Sequence, residues 1–180
     1  MTIIGLLGGT FDPPHLGHLA VARIALWTGD IDAVWMLPCW EHAFGKKPKD
    51  FHHRASMCQQ MVEEEKDVLV CTDEAEIKSK CAMDILTYII KKNPDKEFRL
   101  ILGTDNYWKM DQWEDRPGVY KLARPLWVER SGESRIPERV CFLSNDISST
   151  KARQALTDGE PVNEMLHDKV IKYIVQNKVY

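Results

Sequence analysis

The sequence predicts an α/β protein: a doubly wound parallel sheet with helices on both faces. Two observations carry that prediction. Short apolar runs alternate with stretches of helical spacing along the whole chain, the pattern of repeated β-α-β units. The runs also tend to stop at glycine or proline, as strands feeding loops do. The chain has 180 residues, 44% hydrophobic and 28% charged, enough for one domain over residues 1–180 with its own core.

The elements follow in order. Residues 3–7 form a compact apolar run halted by Gly8-Gly9, a buried strand. Residues 16–27 carry Leu16, Leu19, Ala20, Ile24, Leu26 and Trp27 at helical spacing. Residues 33–37 are the next strand, closed by Pro38, and 51–64 the next helix. Strand 67–72 contains VLVCT; helix 82–92 ends at Asn93-Pro94; strand 98–102 ends at Gly103. Residues 126–129 and 140–143 are weaker strands, and 149–156 and 167–177 are the closing helices. Two segments read as long irregular loops, 38–50 with Lys46, Lys47 and Lys49, and 107–124.

Composition excludes several functions. The formal net charge is −3 and no basic stripe occurs, which argues against nucleic acid as a partner. No apolar run is long enough to span a bilayer. The opening MTIIGLLGGTF lacks a basic region and breaks at Gly8-Gly9, so it reads as a strand and not a secretory leader. The five cysteines form no CxxC pair, which favours reduced thiols and a cytoplasmic setting.

Parallel sheets bind ligands beyond the carboxyl ends of their strands, so the residues just after each strand matter most. After the first strand stands G-G-T-F-D-P-P-H-L-G-H. Gly8 and Gly9 let backbone approach a ligand closely. Asp12-Pro13-Pro14 makes a rigid turn. His15 and His18 then open a helix whose N-terminus carries partial positive charge and unpaired N–H groups. Spaced three apart, they share one helical face, with no side chain at Gly17 to crowd the approach. Strand, glycines and paired imidazoles together make a phosphate site. The loop lacks the GK[ST] of a P-loop and does not spell GxGxxG, so kinase-type NTPases and dinucleotide-binding dehydrogenases fit poorly. Near the other end stands I-S-S-T-K-A-R. Ser148, Ser149 or Thr150 caps the following helix, and Arg153, one turn in, suits a phosphate fork.

These motifs resemble the HxGH nucleotidyltransferases. Within them G-G-T-F-D-P-P-H-L-G-H and ISSTxxR most resemble the nicotinate/nicotinamide mononucleotide adenylyltransferases of NAD biosynthesis. The resemblance spans Gly8 to Arg153 and implies a Rossmann-like fold of the nucleotidyltransferase type. The implied reaction transfers AMP from ATP to nicotinate or nicotinamide mononucleotide and releases pyrophosphate. It implies ATP contacts from Gly8, Gly9, Thr10, Phe11, His18, Gly103, Asp105, Ser148, Ser149, Thr150 and Arg153, with His15, His18 and Arg153 acting in catalysis. The stretch L-P-C-W-E-H-A-F-G-K-K with its later Arg resembles the acceptor loop, so His42, Lys46 and Arg54 fall on the acceptor side; the other reading of His42 and Arg54 is that they brace the loop or pack against neighbours. Trp113 matches a tryptophan that stacks on the pyridine ring, and Trp108 is a weaker counterpart. One departure is Lys80-Cys81-Ala82, where relatives carry a Ser-aromatic-Thr element near the base.

No protein metal site is expected. The six histidines have no Cys/His zinc spacing, and Mg2+ is expected to come with ATP. The rival readings are a pantetheine-phosphate adenylyltransferase or cytidylyltransferase of the same fold, and a non-catalytic nucleotide-binding module.

Overall fold

A computed structural model describes residues 1–41, 47–107, 109–113, 115–129, 140–142 and 147–180, leaving aside the side chains of 105 and 140–142. The chain runs β1 (Thr2–Gly9), α1 (Leu16–Trp27), β2 (Ala33–Pro38), α2 (Phe51–Val62), β3 (Val68–Val70), α3 (Glu74–Ile77) and α4 (Ala82–Lys92). It continues through β4 (Lys96–Gly103), two 3-10 turns (Thr104–Asn106 and Lys109–Gln112), α5 (Arg116–Leu122), β5 (Leu126–Glu129), β6 (Val140–Phe142), α6 (Ser149–Asp158) and α7 (Asp168–Asn177).

The strands form one sheet of six in the order β3-β2-β1-β4-β5-β6, and every pair is parallel. The chain winds outward from β1 to β3, returns to the centre at β4 and winds the other way. The change of direction between β1 and β4 is where such sheets open a crevice at the strand ends. Gly8 and Gly9 stand there on β1, and Gly103 on β4.

Side chains alternate across the strands and divide the core in two. Leu7, Val34, Met36, Ile101, Leu126 and Val128 face a cluster with residues of α1, α2, α6 and α7. Ile4, Leu6, Leu37, Phe98 and Trp127 face a second cluster with Leu86 and Ile89 of α4 and Val119 of α5. Helices therefore cover both faces, as the alternation in sequence predicts.

The segment 107–124, expected as an irregular loop, instead holds a 3-10 turn and α5. Pro117 and Gly118 read as helix breakers, but the proline sits in the first turn, where its missing N–H is harmless. Asp115 caps that turn by accepting from the Gly118 N–H at 3.0 Å. The four-residue α3 is too short to announce itself by periodicity. Among the described residues no helix is long and apolar enough to cross a membrane.

Candidate active site

The loop after β1 is shaped by contacts within it. Phe11 takes a left-handed backbone (φ 50°) and buries its ring, which is 1% exposed. A Cβ on Gly9 would stand 2.9–3.2 Å from that ring, so only glycine lets Phe11 fold inward here. Gly8 is exposed, and a Cβ there would meet nothing within 4 Å. The two glycines therefore differ. One is required by packing, while the other keeps backbone bare on the crevice side.

His15 is the N-cap of α1, with extended backbone (φ −138°, ψ 166°). Its N–H donates to His18 Nδ1 at 3.1 Å. With Nδ1 accepting, the proton of the neutral His18 ring lies on Nε2. The two imidazoles stack with centroids 3.6 Å apart and 28° between planes, and Phe11 meets His18 edge-on at 4.8 Å. His15 is buried and His18 half-buried, directly at the positive end of α1.

The second motif docks onto the first. Ser148 is the N-cap of α6, accepting from the Lys151 N–H at 3.2 Å. Ser149 Oγ donates to the Pro13 carbonyl at 2.9 Å, and Arg153 Nη1 donates to the Asp12 carbonyl at 2.5 Å. Arg153 Nη2 also lies 3.4 Å from Thr150 Oγ1. Residues more than 130 apart in the chain thus place two helix N-termini, two imidazoles, hydroxyls and a half-exposed guanidinium beside one another. Such donors suit phosphate oxygens. Tyr180 closes the group by donating its hydroxyl to Asp12 Oδ1 at 2.5 Å, and burial together with that carboxylate pushes the phenol pKa up.

On the other side of the crevice Gly103 ends β4 and Thr104 starts a 3-10 turn. The Thr104 hydroxyl donates to the buried Glu129 carboxylate at 2.9 Å, tying the ends of β4 and β5 together. The backbone of Asp105 lies in this turn. Trp113 follows the second 3-10 turn, its N–H donated to Met110 at 3.0 Å and its ring packed against the α4-side core. His42, Lys46 and Trp108 lie outside the described residues, as does the side chain of Asp105.

The profile of the cytidylyltransferase-like family matches residues 6–155. A probable nicotinate-nucleotide adenylyltransferase of Anaeromyxobacter dehalogenans is 35% identical over 181 residues, covering 98% of this chain and 96% of that protein. Another, of Myxococcus xanthus, is 31% identical over 179 residues, covering 98% and 94%. The chain belongs to the nicotinate-nucleotide adenylyltransferase family. The Plasmodium falciparum nicotinic acid mononucleotide adenylyltransferase complexed with APC shares the fold, with a TM-score of 0.83 at 20% identity over 100% of this chain and 98% of that one.

Arg54, expected on the acceptor side, is held by backbone carbonyls in this structure. It is 1% exposed, and its Nε, Nη1 and Nη2 donate to the carbonyls of Lys49 (2.7 Å), Thr10 (2.7 Å) and Cys39 (2.8 Å). A guanidinium on α2 with each of its three nitrogens donating to a backbone carbonyl braces the loops around it. The sequence gives Asp12 only a place in a turn and does not mark Glu74, Glu129 or Tyr180 as functional. Each reads locally as an ordinary polar residue and acquires its role only through partners distant in sequence.

Proposed function

We propose that the protein transfers AMP from ATP to nicotinate mononucleotide, forming the dinucleotide and pyrophosphate. The observation that carries this reading is the docking of Ser149 and Arg153 onto Pro13 and Asp12, which gathers phosphate-binding donors at the switch point of the sheet. The names of the relatives support nicotinate mononucleotide as acceptor.

An oxygen of the acceptor phosphate attacks the α-phosphorus of ATP in line. The bond from that phosphorus to the β-bridging oxygen breaks, and pyrophosphate leaves with the electron pair. The attacking phosphate is already ionised, so the reaction needs no general base and no protein nucleophile. The protein's part is positioning and charge stabilisation. His18, through Nε2–H, and His15 hold phosphate oxygens as charge develops. Gly8, Thr10, Ser148, Ser149, Thr150 and Arg153 cradle the triphosphate, the buried Phe11 ring packed on Gly9 shapes their loop from behind, and Gly103 and Asp105 meet the nucleoside. His42, Lys46 and Trp113 serve the acceptor, with Arg54 holding the loop that presents it. The donors here are imidazole, hydroxyl and guanidinium, which suit phosphate better than a cation. Mg2+ accordingly arrives with ATP as part of the nucleotide substrate. Free thiols at Cys39, Cys58, Cys71 and Cys81 support a cytoplasmic setting.

Incubation with MgATP and nicotinate mononucleotide is expected to yield dinucleotide and pyrophosphate in equal amounts. Pyrophosphate without dinucleotide, or neither product, would overturn the reading.

A further inference from the structure

Glu74 is a buried carboxylate that the phosphate site does not use. It lies in α3, just past the end of β3, and is 6% exposed. Its Oε2 accepts the backbone N–H of Trp40 at 2.9 Å, across 34 residues of chain. Trp40 belongs to the loop between β2 and α2, whose described ends are residues 39–41 and 47–50. Arg54 holds both of those ends through the Cys39 and Lys49 carbonyls and ties them to the phosphate loop through Thr10. Two buried polar groups, a guanidinium on α2 and a carboxyl on α3, therefore act on one loop.

We propose that Glu74 is a positioning residue for the reaction, fixing the start of the acceptor loop through the Trp40 amide while Arg54 ties that loop to the nucleotide side. This rests on the reading that the 38–50 loop serves the mononucleotide. The surroundings agree with a dedicated anchor. Trp40 packs its ring on Phe51 at 5.3 Å, Lys78 Nζ stands 5.3 Å from the Trp40 ring, and Lys80 pairs with Glu41 at 2.7 Å. The segment 74–80, which holds no part of the phosphate machinery, thus grips the loop at successive residues.

Burial is the largest influence on Glu74 and raises its pKa to about 7, against the lowering effects of the Trp40 N–H and the Arg54 charge. Among the described residues the Cys39 thiol also lies within reach of its charge. A carboxylate kept where burial opposes its ionised form is a cost to the fold, of the kind found where a site demands a particular geometry.

Acceptor and ATP kinetics of Glu74→Met, Glu74→Asp and Glu74→Gln test this. Met has no oxygen and Asp falls short of Trp40, so each should raise KM for nicotinate mononucleotide, about tenfold for Met. KM for ATP and kcat should stay within about threefold, below the cost expected for a lost transition-state contact. Gln keeps an acceptor oxygen and should restore the acceptor KM to near wild type. If Glu74→Met does not fold, Glu74→Asp carries the test. An acceptor KM unchanged in the variants that fold overturns the inference alone. Equal losses in kcat and in both KM values also overturn it, because they mark a general structural defect. A wild type that does not turn over nicotinate mononucleotide overturns the acceptor reading and this inference with it.

Discussion

His18 has its orientation set by its own helix. Its Nδ1 is occupied by the His15 N–H, its ring lies against His15 and Phe11, and its Nε2 carries the proton needed to donate to an oxyanion. His18→Ala should lower kcat by roughly 100- to 1,000-fold, the cost of one preorganised donor. Because the residue is a half-buried surface-side group at a helix start, Tm should change little. Steady-state kinetics beside a thermal melt checks both halves. Glu74 yields a prediction of different sign. Its pKa, about 7 in the fold against an ordinary 4.5, means that folding favours the protonated acid. That stabilisation is complete below about pH 4.5 and is lost as pH rises through 7. Glu74→Gln, always neutral, should therefore be more stable than wild type at pH 8, by at most about 3 kcal/mol. The gain should vanish near pH 4.5, and denaturant melts at the two pH values check it. At this scale the histidines, Ser149 and Arg153 were legible because their residue types cluster beside glycines and a helix start. Glu74 was not, since a charge within T-D-E-A-E-I reads as solvated surface until Trp40 is placed beside it.

The end of β1 and the start of α1 work as one element. Gly9 is demanded by the Phe11 ring, while Gly8 has open space around its missing side chain. Gly9→Ala should therefore cost stability, about 1–3 kcal/mol by overpacking. Gly8→Ala should leave Tm unchanged and raise KM for ATP. A matched melt and ATP titration distinguishes the two, and equal stability losses would contradict the assignment of Gly8 to the ligand side. Helix α1, from Leu16 to Trp27, and helix α4, from Ala82 to Lys92, were legible to the residue because glycine, proline and asparagine punctuate their ends. Helix α5 was hidden because Pro117 and Gly118 act as first-turn residues of a helix capped by Asp115, while the same pair in a loop would look identical. The need for a crossover between parallel strands β4 and β5 was the available clue, since such a connection takes a dozen or more residues and usually a helix.

Over the whole molecule, the strand order brings together what the sequence keeps apart. The reversal at β1 and β4 opens the crevice, and α6 returns across it so that Ser149 and Arg153 reach the Pro13 and Asp12 carbonyls. The doubly wound class was legible from alternation alone, because parallel strands buried on both faces leave unbroken apolar runs. The docking of the two motifs was not, because it depends on contacts across 136 and 141 residues that no local pattern records. One crevice lined by phosphate donors, with a braced loop beside it, should take two phosphate-bearing substrates at once. The most direct test is kcat/KM under saturating MgATP for nicotinate mononucleotide, nicotinamide mononucleotide, pantetheine phosphate and glycerol phosphate, followed by pyrophosphate release. Nicotinate mononucleotide should exceed each of the others by at least about tenfold, the discrimination a site gains from contacts that only one substrate makes. A preference for another acceptor, or no pyrophosphate from any of them, would contradict the assignment.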